Sequence, residues 1–349
     1  MRKICTFLFF LSPFLHSNQS LAQSIDSVKV SGFLEVYFGK DQAIWNNHSR
    51  PNFLYSHTAT DHVALNTAVF ELKSYSKRIN THLALVEGTY ANKVTSAEPT
   101  GFGALYLANI SLALDQAKNC WLTAGIFPSH IGLETAIGLT NVSLTRSLAA
   151  ENSPYYESGV KLDYVSKNKI WNFSLLGLNG WQTMTLLPQD HQMGIGSSIS
   201  FQPNAKFFVS HNTYFGEVAL IDTSAQRLFN NFQFQLKSND WTLQGQWDFG
   251  IQKGEKWHVG FLGLGRNINK RINLNSRVEY VNDPKSLVMG SSLNSVYGGS
   301  IGGWYKLAPH TILRAEYRYF RSLNETPFQF KSSSSKTMQG LTLSLAVQF

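Results

Sequence analysis

The fold class this sequence predicts is all-β: a transmembrane antiparallel β-barrel, most simply of sixteen strands. Three observations predict it. Apolar and polar residues alternate with period two through almost the whole chain, and helical periodicity is hard to find. Most alternating stretches are about 11–13 residues long, enough to cross a bilayer at a tilt. The connections between them alternate short and long, as periplasmic turns and extracellular loops do.

The first element is a targeting signal. Arg2 and Lys3 form a basic start, and Ile4 to Leu15 is apolar apart from Thr6, Ser12 and Pro13. Ser20-Leu21-Ala22 offers small residues at the two positions a signal peptidase reads. A cut after Ala22 is expected, with 1–22 as signal peptide and 23–349 as one outer-membrane barrel domain. The apolar run is too short to span a bilayer, and no Cys follows the cut, so neither an anchor nor a lipoprotein is expected.

Composition narrows the classes further. The formal charge of +8 falls to +6 once Arg2 and Lys3 leave, and no Lys/Arg-rich run exists, so nucleic acid is not an expected partner. Cys5 leaves with the signal, and Cys120 alone makes neither an intrachain disulfide nor a cysteine metal cluster. After the signal no apolar run is long enough for a membrane helix. Residues are 13% aromatic and 15% charged, while mean hydropathy is −0.15. Averaging a lipid-facing and a lumen-facing set of residues gives this combination.

The strands are expected near 27–39, 62–75, 79–91, 104–116, 119–127, 156–166, 169–180, 192–202, 205–217, 225–237, 240–251, 256–266, 270–281, 294–307, 310–321 and 336–348. An even count suits a single-chain bacterial barrel. The alternation is clearest late in the chain. Ile272, Leu274, Ser276, Val278 and Tyr280 oppose Arg271, Asn273, Asn275, Arg277 and Glu279. Leu313, Ala315, Tyr317 and Tyr319 oppose Arg314, Glu316 and Arg318. Trp241, Leu243, Gly245, Trp247 and Phe249 oppose Thr242, Gln244, Gln246 and Asp248, and Phe232, Phe234 and Leu236 oppose Asn231, Gln233, Gln235 and Lys237.

Short turns are expected around 76–78, 116–118, 167–168, 202–204, 238–239, 267–269 and 308–309, and long loops near 40–61, 92–103, 128–155, 181–191, 218–224, 282–293 and 322–335. The 252–255 connection is short although it falls on the long-loop side. Trp121, Trp171, Trp181, Trp241, Trp257 and Trp304 sit near strand ends, where aromatic girdles meet the headgroups. The chain ends in alternating apolar residues, Leu341 to Val347, and then Phe349. That ending resembles the signal read by the bacterial barrel-assembly machinery.

Residues 119–162 carry a family resemblance. The run Ala124-Gly125-Ile126-Phe127-Pro128-Ser129-His130-Ile131-Gly132-Leu133-Glu134 is one part, and Leu144-Thr145-Arg146-Ser147 with 150–162, Ala150 to Leu162, is the other. These segments resemble the OmpL-like β-barrel porin family of Gram-negative bacteria, and Val30 to Tyr37 fits its first strand. The resemblance implies a porin-like barrel; with the alternation it leads to the expectation of an outer-membrane porin that passes small hydrophilic solutes down their gradient through a water-filled pore.

Candidate residues follow from the alternation. Arg271, Arg277, Glu279, Arg314, Glu316, Arg318 and Asp248 are expected to line the lumen, where arginines attract anions. The carboxylates among them, with Glu35, make the field mixed and the anion preference weak. The 128–155 segment is expected to fold inward as a constriction, with Glu134, Arg146 and Glu151 along it and the latter two facing the lumen. An outward loop with solvated charges is the alternative. Ser129 and His130 are adjacent, but neighbours on a strand point to opposite faces, and the Gly-x-Ser-x-Gly elbow is missing. No catalytic group, cofactor or metal site is expected. Expected partners are outer-membrane lipids and lipopolysaccharide, the assembly machinery through Phe349, and a homotrimer. Two rival readings remain: a barrel that binds through the 40–61 and 128–155 loops, and a hydrolase at the barrel rim.

Overall fold

Strands with one apolar and one polar face satisfy their backbone only by pairing, and in lipid a sheet has to close on itself. The computed structural model describes residues 25–96, 98, 102–185, 193–219, 224–289, 294–323 and 326–349. The expected signal segment 1–22 lies outside the described residues. Sixteen antiparallel strands form one closed barrel: β1 (Ser27–Asp41), β2 (Val63–Tyr75), β3 (Ile79–Glu87), β4 (Leu105–Ala113), β5 (Cys120–Pro128), β6 (Tyr156–Val165), β7 (Trp171–Leu178), β8 (Gly194–Asn204), β9 (Phe207–Ala219), β10 (Ser224–Lys237), β11 (Trp241–Gln252), β12 (Glu255–Asn267), β13 (Ile272–Asn282), β14 (Ser295–Ala308), β15 (Thr311–Ser322) and β16 (Thr337–Gln348). Each strand pairs with its sequence neighbours, and β16 closes on β1. A two-residue-per-arm hairpin, Phe328–Gln329 with Ser334–Ser335, decorates the last long loop.

Most expected boundaries lie within two residues of these. The largest departure is the third strand, expected to run to 91 but ending at Glu87. Gly88 takes φ +124° there, and a Cβ on it would lie 2.4 Å from the Asn66 carbonyl oxygen. The chain therefore leaves the ladder and forms a short helix, α1 (Thr89–Val94), whose Tyr90, Ala91 and Val94 are buried.

The burial pattern is the reverse of a soluble sandwich. Ile301 is 65% exposed, Leu175 63% and Val278 61%, whereas Arg277, Glu279, Arg314 and Glu316 are buried. Burying a large aliphatic side chain is worth about 1.5–3 kcal/mol, so an outer face like this one requires lipid around it.

The interior is filled from the long-loop side. The first loop (42–62), α1 and the third loop (129–155) enter the barrel. One apolar cluster joins Trp45, Phe53 and Leu54 of the first loop and Ile131 and Leu148 of the third to Phe229, Phe261 and Phe320 of the wall. A second packs Tyr90 and Val94 of α1 against Ala136 and Tyr155 of the third loop. Not every strand-end tryptophan joins a girdle. Trp171 and Trp241 point outward, but Trp257 is buried and packs on Phe229 and the Arg227 guanidinium.

Candidate functional site in the lumen

The inward faces of β13 and β15 carry the charge. Asn273, Asn275, Arg277 and Glu279 project from β13, and Arg314, Glu316 and Arg318 from β15. The strand between them is nearly bare: β14 places Gly298, Ser300 and Gly302 in register with Glu279, Arg277 and Asn275. A Cβ on Gly298 would lie 2.5 Å from Glu279 Cγ, so the long side chains of both neighbours fold over this bare strand and meet. Arg277 Nη2 donates to Glu316 at 3.2 Å, and Arg318 Nη2 to both Glu279 oxygens at 2.9 and 3.1 Å. Arg277 Nη1 also lies 3.8 Å from Glu134.

The third loop docks on this cluster. It leaves β5 and returns to β6, and β13 is the eighth strand on from β5, so the loop crosses the interior of the barrel. Arg314 donates to the carbonyls of Gly138 (2.7 Å), Asn141 (3.2 Å) and Ser143 (2.6 Å). Arg277 donates to the Thr145 carbonyl at 2.6 Å. In return the Thr145 amide and hydroxyl donate to Glu316 at 2.6 and 2.9 Å, and the Leu148 amide to Glu279 at 2.7 Å. Charged partners make these hydrogen bonds stronger than neutral ones. Gly132, at φ +96°, turns the chain just after Pro128 ends β5.

Within the loop, Glu134 accepts from the Ser147 amide and hydroxyl at 2.8 and 2.7 Å, at the start of the short helix α2 (Leu148–Glu151). Arg146 and Glu151 do not face open lumen as expected. The Arg146 guanidinium is sandwiched between the rings of Tyr90 (5.0 Å) and Tyr155 (4.5 Å) and donates to the Thr135 carbonyl. Two aromatic faces offer it more than water does. Glu151 accepts from the Tyr55 amide (2.9 Å), the Ser56 hydroxyl (2.9 Å) and the Tyr155 hydroxyl (3.1 Å), and so ties the first loop to the third. Burial pushes its carboxyl up from the usual range, although Arg146 and these donors oppose the shift.

The first loop has its own anchors. Arg50 chelates Asp41 at 2.6–3.2 Å and donates to Thr342 at 3.0 Å. His57 Nε2 lies 3.1 Å from Glu35, which also accepts from Asn66 and Ser344. At the foot of the third loop, His130 pairs through Nδ1 with Glu157 (2.8 Å) and donates from Nε2 to the Thr213 carbonyl (2.8 Å). Burial alone would lower its pKa, but Glu157 and the Thr213 carbonyl outweigh it and hold the imidazole above its usual value. Ser129 is not its partner; its hydroxyl accepts from the Ile131 amide at 3.0 Å.

The wall from β8 to β11 is different. Ser198 donates to Asn212 (2.6 Å), Asn212 to Asn231 (2.6 Å), Gln233 to Ser210 (2.8 Å) and Gln235 to Gln244 (3.1 Å). Asp248 lies on the lumen phase, as expected, and accepts from Asn231 and from Gln246 (2.8 Å). Arg271 requires a correction. β13 starts at Ile272, not 270, so Arg271 is an exposed residue of the preceding turn, where its amide donates to Asn269.

Sequence reasoning located the charged cluster and the loop but not what joins them. Half of that contact is made by backbone carbonyls and amides, which carry no residue signature. Arg50–Asp41, His130–Glu157 and the Tyr90–Arg146–Tyr155 sandwich were missed for want of any periodic signal. Among the described residues, no three His, Cys, Asp or Glu side chains gather as a metal site.

A family model described as "Putative beta-barrel porin-2, OmpL-like" matches residues 27–349. No curated protein matches the chain. Solved structures share the fold at low identity. An anion-selective porin from Comamonas acidovorans has a TM-score of 0.62 at 11% identity, covering 93% of this chain and 99% of that one. OmpF of Salmonella typhi, in complex with daunomycin, has a TM-score of 0.62 at 11% identity, covering 92% and 97%. OmpT of Vibrio cholerae, an outer-membrane protein in its trimer form, has 0.58 at 10% identity, covering 93% and 99%.

Proposed function

This chain belongs to the OmpL-like β-barrel porin-2 family, and we propose that it lets small hydrophilic solutes diffuse passively through its lumen, without chemistry and without a cofactor. Family and barrel place it in the bacterial outer membrane. The observation that carries the proposal is the third loop, which crosses the barrel and is held to the far wall by Arg277, Arg314, Glu279 and Glu316. A loop held so narrows the passage.

Ion preference is weak on this reading. Arg277, Arg314 and Arg318 are met by Glu35, Glu134, Glu279 and Glu316, so any pull on anions is largely offset. The working form is a homotrimer, and its surroundings are lipid and lipopolysaccharide. Phe349 is 71% exposed beside Gly32, where the assembly machinery can reach it.

Single-channel conductance in a planar bilayer tests the proposal. Stable open steps are expected, and deletion of 136–146 raises their size. Folded protein that inserts and stays silent would overturn it. One observation favours a second reading, a closed barrel that binds a partner through the 40–61 and 128–155 loops: both loops share an apolar cluster with the wall. Silent insertion selects that reading. A rim hydrolase has less behind it, since His130 Nε2 is occupied by a backbone carbonyl.

A further inference from the structure

Among the described residues, the buried side-chain atoms without a hydrogen-bond partner are hydroxyls, carboxylate and amide oxygens, imidazole nitrogens, and two groups that can only donate. Those two are Gln252 Nε2 and Trp257 Nε1, each on a residue only 1% exposed, and both stand beside Arg227. β10 sets Arg227 opposite Gln252, and β12 sets Trp257 opposite Gly250, two residues back on the same face of β11. Gly250 is bare, so the indole lies over it: a Cβ there would be 2.9 Å from Nε1. Gln252 Oε1 already accepts from Arg227 Nε and Nη2 at 2.8 and 2.6 Å. Turning the amide over would only set its donors against the guanidinium. The rings of Trp257 and of Trp181, from the loop after β7, lie 5.9 and 4.7 Å from that guanidinium. Unlike Arg50, Arg277 and Arg318, Arg227 pairs with no carboxylate among the described residues. Asp283, whose charge also acts on it, is taken up by the amides of Leu287, Val288 and Met289 at 2.8–3.1 Å.

We infer that Arg227, Gln252 Nε2 and Trp257 Nε1 form a binding site for a halide ion, chloride in an ordinary medium, which ties the loop after β7 to the β10–β12 wall. A guanidinium and two obligate donors meet here among aromatic rings with no acceptor left for them, and a small anion supplies that acceptor. A water would leave the buried guanidinium charge uncompensated, whereas a halide neutralises it. The site lies where β11 ends at Gln252, beside the exposed turn of Lys253 and Gly254, so the ion reaches it from the loop side and not along the lumen. The inference does not depend on solute passage.

Heat unfolding of the detergent-solubilised barrel compares sodium chloride with sodium gluconate at matched ionic strength. The midpoint should climb with chloride to a plateau and stay flat in gluconate, with bromide able to replace chloride. Gln252→Glu supplies an acceptor from the chain itself and should give a folded barrel whose midpoint no longer answers to chloride. Should that variant not fold, Trp257→Phe keeps a ring in place and removes one donor. It should raise the half-saturating chloride concentration about tenfold. A crystal grown in bromide should show anomalous scattering between Arg227, Gln252 and Trp257. Equal midpoints in chloride and gluconate overturn the inference, and so does a chloride response that the substitutions leave unchanged. Bromide found only elsewhere overturns this location. Each result stands whether or not the protein conducts, so none of them touches the porin reading.

Discussion

The wall formed by β13–β15 and the wall formed by β8–β11 face the same lumen with opposite means. The first sets Arg277, Arg318, Glu279 and Glu316 in buried ion pairs and, with Arg314, fastens a loop. The second sets amides and hydroxyls in a chain that ends on Asp248, and the third loop meets this wall through His130 and the Leu133 amide. Ionic groups inside a barrel are commonly taken as a field for solutes. Here they are glue for a loop. Buried ion pairs are poor sources of stability, since desolvation offsets their attraction, but they are demanding about geometry. A loop that has to cross the barrel in one pose needs that demand.

The comparison breaks most visibly at Arg277. Arg277→Ala strands Glu316 without its charged partner and frees the Thr145 carbonyl, and should cost about 3–5 kcal/mol in the unfolding free energy of the detergent-solubilised barrel. The same variant should loosen residues 138–148 to protease. A loss under about 1 kcal/mol would mean that the pairs do not hold the loop.

Glu151→Ala comes next. It removes the acceptor shared by the first and third loops, and leaving those donors unmet should cost about 1–3 kcal/mol. Amide exchange at Tyr55 and Ser56 would report it, and unchanged exchange there would show the loops seated independently.

On the other wall Asn212→Ala should cost only about 1 kcal/mol, because the hydrogen bonds it makes with Ser198 and Asn231 are between neutral groups. A loss as large as that of Arg277→Ala would erase the contrast between the walls.

The smallest effect is a pH dependence at His130. Its folded pKa is raised, so its pairing with Glu157 stabilises the loop foot fully below the unfolded value and fades as pH rises through the folded one. Exchange at 129–133 should therefore quicken toward alkaline pH in the native chain and lose that dependence in His130→Gln. A flat profile in the native chain would assign the foot to packing alone.

How much of this was legible beforehand differs by kind of contact. Strand number, order and the inward phase of Arg277, Glu279, Arg314, Glu316, Arg318 and Asp248 follow from period two, because a strand has only two faces. The same logic misplaced Arg271 by setting the strand start two residues early. The inward course of 128–155 was a choice between two poses that the pattern alone could not rank. Its docking was illegible because Arg314 binds carbonyls of Gly138, Asn141 and Ser143, which any residues would supply. Trp257 was misjudged for a different reason: position near a strand end says nothing about which face a ring takes.

The seam between β1 and β16 has a consequence for the order of events in assembly. Glu35 accepts from Ser344, 309 positions away in the chain, and Phe349 pairs with Gly32 across the same seam. Hairpins between sequence neighbours can zip as they emerge, but closure waits for the last strand. The third loop waits too, because β13 and β15 follow it by more than a hundred residues. For most of its maturation this chain is thus a curling sheet with two free edges and an unmoored loop, the form most exposed to wrong pairing. Loss of β16 would not give a weaker barrel; it would arrest the chain in that open form.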